Sequence, residues 1–193
     1  ILPVILVFMI SISSEESIRQ VGYSLFPVEF SNKAYLFLWN ERSTIFNALL
    51  ISLTVTCVGT ALGVAVTTAM GYALSRPNFR LKSFYTWVIF IPMLFSGGMV
   101  ASYVVNANIL SLRNTIWVLI LPLMVSSYNI VICKTFFKTS LPDSIIESAK
   151  IDGATQMRTF LSIVIPISKP LFATIALFLC FGYWNDWFLS SLY

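Results

Sequence analysis

Charge is scarce in this chain, and much of it gathers around the stretch from Leu141 to Pro170, LPDSIIESAKIDGATQMRTFLSIVIPISKP. Lys134, Lys138, Lys150, Arg158 and Lys169 stand in or beside it, with Asp143, Glu147 and Asp152. A charged, helix-forming island between two long apolar segments offers non-covalent chemistry, that of a docking surface. Ser140 with Asp143 three positions on makes a capping box, and Pro142 suits a first turn, so a helix is predicted to start here. Leu141, Ile145 and Ala149 fall on one ridge with Ile146 beside them, while Glu147 and Lys150 lie elsewhere on the cylinder. Such a helix, of about two and a half turns, does not persist alone and must pack against something. Asp152-Gly153 suits a tight turn, because glycine accepts positive φ and aspartate can cap the next helix. A second helix is predicted from near Ala154, with Met157, Phe160, Leu161 and Val164 at helical spacing. Together these make a two-helix elbow.

The same residues carry a family pattern. Glu147-Ser148-Ala149, three residues, Gly153, nine residues and Ile163-Val164-Ile165-Pro166 resemble the EAA loop of permeases from binding-protein-dependent ABC importers. Ser148 replaces the middle alanine of that pattern and Ile165 its leucine. The resemblance runs back through Tyr72-Ala73-Leu74-Ser75-Arg76 and Phe95-Ser96-Gly97-Gly98 and forward to Trp184-Asn185-Asp186, so it covers most of the chain. It is nearest to the carbohydrate branch, among permeases for complex oligosaccharides.

The elements that must hold the elbow are read from composition. Of 193 residues 58% are hydrophobic, 15% aromatic and 10% charged, the balance of an integral membrane protein rather than a soluble domain. The net charge of +4 comes without a compact basic run interleaved with aromatics, so nucleic acid is not an expected partner. Arg76, Arg80 and Lys82 form one basic loop, and Lys134, Lys138, Lys150, Arg158 and Lys169 another. The positive-inside rule places both in the cytoplasm. Cys57, Cys133 and Cys180 lie in or at the ends of apolar segments without metal-ligand or disulfide spacing and read as packing residues. Histidine is absent, removing the commonest general base and zinc ligand. With no nucleophile elbow or phosphate loop either, the reading is of a chain without catalytic residues, a metal site or a cofactor of its own.

Five apolar stretches are expected to span the bilayer: about 1–12 in part, 44–73, 84–108, 114–134 and 167–187, with the coupling loop at 139–166. The first is about half the roughly 20 residues a span needs. The resemblance implies a further span beyond the last, so the domain is expected to be truncated at both ends. Residues 13–42 read as an external polar loop with short helical pieces, and 74–83 and 134–166 as cytoplasmic loops. Gly59 and Gly63, with Ala61, Ala65, Ala69 and Gly71, let helices approach closely within the bundle. Pro92 and Ser96-Gly97-Gly98 interrupt the third stretch, and Pro122 lies inside the fourth. Tyr183, Trp184, Asn185 and Asp186 close the last. There the aromatics suit the bilayer interface, or alternatively the group faces the bundle interior and lines a solute path.

The fold expected is therefore all-α, a polytopic transmembrane helical bundle with a cytoplasmic elbow, of the type I ABC importer permease kind. What the resemblance implies is one half of the translocation pathway of an ATP-driven oligosaccharide importer in the bacterial cell membrane. Its partners would be a second related permease, two ATPase subunits, an extracytoplasmic solute-binding protein and membrane lipid, with ATP and Mg held by the ATPases. Ile145, Ile146, Glu147, Ser148, Ala149, Asp152, Gly153 and Pro166 would form the ATPase-coupling surface. Ile145, Ile146 and Ala149 would bury into an ATPase groove, and Glu147 would meet a basic group there. An importer of an amino acid or phosphate shares the elbow, and a non-transporting membrane subunit is the remaining alternative.

Overall fold

A computed structural model of the chain describes residues 2–27, 29–95 and 97–193; Ser96, part of the expected interruption, lies outside the described residues. Two compact units divide it, residues 1–51 and 52–193. In the first, α1 (Leu2–Ser11), α2 (Glu15–Val21) and α3 (Lys33–Asn40) precede the start of α4 (Arg42–Ser75). Ser14 caps α2 by accepting the Ser17 N–H, and the backbone pairs Ser14 N with Glu29 O at 2.9 Å and Ser31 N with Ile12 O at 2.9 Å. These bonds hold Ile12–Ser14 against Glu29–Ser31.

The second unit holds the rest of α4 and everything after it. From Ser43 to Ser75 no charge interrupts the helix, and its 34 residues rise about 51 Å, well beyond a ~30 Å hydrocarbon layer. Pro77 then bars continuation. α5 (Lys82–Leu94) carries Pro92 inside it, and α6 (Gly98–Tyr103) runs on into a wider, π-helical segment, Val104–Ile109. α7 (Trp117–Met124) and α8 (Ser127–Ser140) meet at a bend of 46°, where Val125 and Ser126 are extended. α9 (Asp143–Ile151) and α10 (Gln156–Ile167) form the elbow, and α11 (Lys169–Trp184) leads into the short α12 (Phe188–Leu192).

Among the described residues Arg42–Ser75 and Lys169–Leu192 are long and apolar enough to cross a membrane, and the bent α7–α8 pair makes a third such length. Within the stretch expected over 84–108, α5 ends at Leu94 and α6 begins at Gly98, which has φ +76°. The bend between α7 and α8 falls at 125–126 rather than at Pro122, which stays within α7.

The core sits where α4, α7, α8, α10 and α11 cross: Val55, Ile120, Cys133, Phe137, Val164, Ile175 and Leu179 are buried together. Glycines on α4 set the crossing distances. A Cβ on Gly59 would overlap the Tyr183 ring of α11, and one on Gly71 would overlap the Cys133 side chain of α8. The small-residue stripe of α4 thus packs against helices of its own chain, where van der Waals contact holds spanning helices together.

Candidate functional site: the elbow

α8 stops at Ser140, and Leu141 and Pro142 form an extended link to Asp143, the first residue of α9. Ser140 therefore does not cap α9, as the capping-box spacing predicts. It is still helical, the N-cap position belongs to Pro142, and no side chain there accepts a backbone N–H. The other end of α9 is a Schellman motif: Ala154 N donates to Ala149 O at 2.9 Å and Gly153 N to Lys150 O at 3.0 Å. Gly153 takes φ +76° to close it, a conformation a Cβ disfavours. Thr155, rather than Asp152, caps α10 by accepting the Arg158 N–H at 3.3 Å.

The faces of α9 divide sharply. Leu141, Ile146 and Ala149 turn inward and are buried, whereas Ile145 is 36% exposed and Ile151 86% exposed. Glu147, Ser148, Asp152, Gly153 and Pro166 are exposed. Ile146 and Ala149, expected on the coupling surface, are thus packed toward the rest of the chain. The chain's own bundle already covers that stripe, leaving Ile145, Ser148 and Ile151 to face outward. On α10 Met157 and Leu161 are exposed, and the buried positions are Thr159, Val164 and, just past its end, Ser168. Over Phe160–Val164 the helix widens to π-helical turns. The wider turn spaces the buried face five residues apart from Thr159 to Val164 and rotates Met157 and Leu161 away from it.

Two residues at the end of α4 tie the elbow to the bundle. Arg76 Nη1 lies 3.0 Å from Asp143 Oδ1, Nη2 donates to the Phe137 carbonyl at 2.9 Å, and Nε donates to Ser75 Oγ at 3.0 Å. The guanidinium also sits over the Tyr72 ring, 5.2 Å from its centroid. Tyr72 in turn meets Phe137 of α8 edge-on at 5.7 Å and Phe160 of α10 at 5.0 Å. In the sequence Tyr72 stands out only inside a family pattern, and Arg76 there and as part of a basic loop. Their signal is a basic residue and an aromatic one turn apart at the end of an uncharged helix. Between them and α9 lies a cavity of about 310 Å³, lined by Tyr72, Arg76, Phe79, Ile146, Glu147 and Lys150.

The far end of α11 is built differently. Tyr183 is buried against Gly59, and its hydroxyl donates to the Ile120 carbonyl at 2.7 Å, so it fastens α11 to α4 and α7. Trp184 is half exposed, Asn185 Nδ2 bonds back to Phe181 O at 2.9 Å, and Asp186 Oδ1 accepts the Leu189 N–H at 3.4 Å. Among the described residues no three His, Cys, Asp or Glu side chains gather to hold a metal.

Long apolar helices, interrupted spans and a packed elbow define a multi-pass helical membrane protein. Residues 59–192 match the family described as the binding-protein-dependent transport system inner membrane component, and the chain belongs to that family. It is 37% identical over 193 residues to Protein LplC of Bacillus subtilis (strain 168), covering 100% of this chain and 64% of the relative. It is also 37% identical to the polygalacturonan/rhamnogalacturonan transport system permease protein YtcP of the same organism, covering 100% of this chain and 66% of that one. A solved bacterial ABC transporter involved in the import of the acidic polysaccharide alginate shares the fold, with a TM-score of 0.82 at 26% identity over 95% of this chain and 65% of that chain. The chain thus spans about two thirds of the length of these proteins.

Proposed function

We propose that this chain is a permease subunit of an ATP-driven oligosaccharide importer, forming half of the translocation pathway and hydrolysing nothing itself. The observation that carries the reading is the elbow: a capped helix with an outward face of Ile145, Ser148 and Ile151, whose inward face is fixed to the bundle. Such a face suits an ATPase subunit that pushes from the cytoplasm. Glu147 and Lys150 beside it supply charge for orienting that partner. Closure of two ATPases around ATP and Mg would move α9. Tyr72 and Arg76 would pass the movement to α4 and α8, and α10 would pass it directly into α11, swinging the bundle as a rigid body between two states.

The adjacency of Arg76 and Asp143 brings the loops 74–83 and 134–166 together, which supports a common cytoplasmic location for them. Names of the relatives favour saccharides as the solute class, delivered by an extracytoplasmic binding protein to this chain and a second, related permease. The test is reconstitution of the four kinds of subunit in liposomes and measurement of ATP-dependent uptake. Glu147→Ala and Gly153→Asp should each abolish most uptake while the protein still inserts in the membrane. Full uptake by either variant sinks the docking role.

A further inference from the structure

Irregular backbone within spanning helices is tolerated where the freed groups are buried in protein or line an aqueous path. Three irregularities converge away from the elbow. The α5–α6 break ends at Gly98, α6 widens to π-helical turns over Val104–Ile109, and α11 gives way to α12 through Asn185–Trp187. All three border one cavity of about 320 Å³, whose polar walls are Ser102, Asn106 and Asp186. That volume falls in the roughly 300–1,000 Å³ range of small-molecule sites. Sixteen residues of α11 at about 1.5 Å each put Asp186 roughly 25 Å from Lys169. With Lys169 at the boundary of a ~30 Å hydrocarbon layer, the cavity would lie just inside its opposite edge, away from the elbow.

The chemistry of the walls is acceptor-rich. Asn106 Nδ2 is committed to Tyr193 Oη at 3.0 Å, and the side-chain amide oxygen accepts from no described group. Asp186 accepts one weak backbone bond, and among the described residues no cation pairs with it. An ionisable group at such depth marks a path or a partner. Tyr193, which lines the cavity, stacks on Tyr103 with ring centroids 5.4 Å apart and planes within 9°, setting an aromatic surface beside it. Hydroxyl donors beside a flat apolar face are what a sugar ring offers.

We propose that Ser102, Asn106 and Asp186 form a subsite on the solute path that binds the hydroxyl groups of a sugar ring; this rests on the importer reading. Asp186 accepts from one or two hydroxyls, Asn106 Oδ1 from another, and Ser102 Oγ, which donates to the Gly98 carbonyl at 3.0 Å, accepts from whichever remains. Tyr183 and Asn185, occupied with packing and back-bonding, take no part.

The assembled transporter in liposomes tests this in two arms. Ser102→Cys and Asn106→Cys, in a Cys57→Ala/Cys180→Ala background, should react with a membrane-impermeant methanethiosulfonate cation at least tenfold faster than Leu177→Cys on the outer face of α11. Equally slow reaction at both positions overturns the subsite. In the second arm, uptake of raffinose and of trigalacturonate, one neutral and one acidic, separates the two kinds of ring. Asp186→Asn keeps an acceptor for the Leu189 N–H, so a structural role survives, yet it should raise KM for the transported sugar at least fivefold with kcat little changed. An unchanged KM in Asp186→Asn and Asn106→Ala also overturns it. If the unsubstituted complex takes up neither sugar, the saccharide reading falls, and the labelling arm still decides whether the cavity is wet.

Discussion

The Arg76 guanidinium and the Asp143 carboxylate, 67 positions apart in the chain, meet at 3.0 Å and join the end of the longest helix to the start of the elbow. The two partners are unequally placed. The side chain of Arg76 is 15% exposed and that of Asp143 67% exposed, so water screens the ion pair, and its worth is about 0–1 kcal/mol. The bond from Arg76 to the Phe137 carbonyl is better shielded, and a hydrogen bond from a charged donor contributes roughly 1.5–3 kcal/mol.

Arg76→Ala should therefore lower the thermal midpoint of the purified protein in detergent clearly more than Asp143→Asn does. Arg76→Lys should resemble the alanine variant, because an ammonium cannot reach Ser75, Phe137 and Asp143 at once with the geometry of the planar fork. Equal losses in Asp143→Asn and Arg76→Ala would show that the ion pair, rather than the carbonyl bond, carries the connection.

Close approach between α4 and α11 should be equally sensitive. Gly59→Ala places a methyl inside the Tyr183 ring and should cost about 1–3 kcal/mol, as overpacking does. Tyr183→Phe removes only the bond to Ile120 and should cost about 1 kcal/mol. Combining Gly59→Ala with Tyr183→Leu should cost less than the sum of the two single changes, since the clash disappears with the ring. Strict additivity of the midpoint shifts would count against the packing described.

Much of the architecture was legible because one physical requirement dominated. An uninterrupted absence of charge from Ser43 to Ser75 demands a long membrane helix, and Asp152-Gly153 demands a turn; α4 and the Gly153 cap are there. Features set by a balance of small local terms were not legible. Ser140 has the right spacing for a cap, yet two extended residues separate it from α9. The apolar positions of α10 fit a 3.6-residue period, but its π-helical turns change the period and expose Met157 and Leu161. Tyr183 reads as an interfacial or path-lining aromatic, and only the bare backbone at Gly59 explains why it is buried. Which side of α9 the bundle covers depends on partners far away in the chain, so the periodicity of Ile145, Ile146 and Ala149 could not choose between them.

Gly153 should tolerate substitution according to backbone preference alone. Nothing lies within 4 Å of a Cβ built there, so the cost comes from φ +76° itself, about 1–2 kcal/mol for an ordinary L-residue. Gly153→Asn should be milder than Gly153→Ala, and Gly153→Val worst, because asparagine visits the left-handed region and a β-branched side chain does not. Thermal midpoints in that order support the cap; a penalty tracking side-chain volume would point to an unseen steric contact.

The two faces of α9 should separate folding from docking. Ile146→Ala removes a buried side chain from a face the bundle covers, a change that costs about 2–5 kcal/mol in well-packed cores, so it should lower the midpoint of the isolated protein. Ile151→Glu changes a side chain 86% exposed, and surface changes of that kind stay within about 0.5 kcal/mol. Its midpoint should be unchanged, yet a carboxylate forced into an apolar contact must be desolvated without a partner, so co-purification with the ATPase subunits should fall at least tenfold. Ile145→Glu, at the edge between the faces, should show a smaller form of both effects. If Ile151→Glu retains the ATPases at the unsubstituted level, the outward face of α9 is not where they bind.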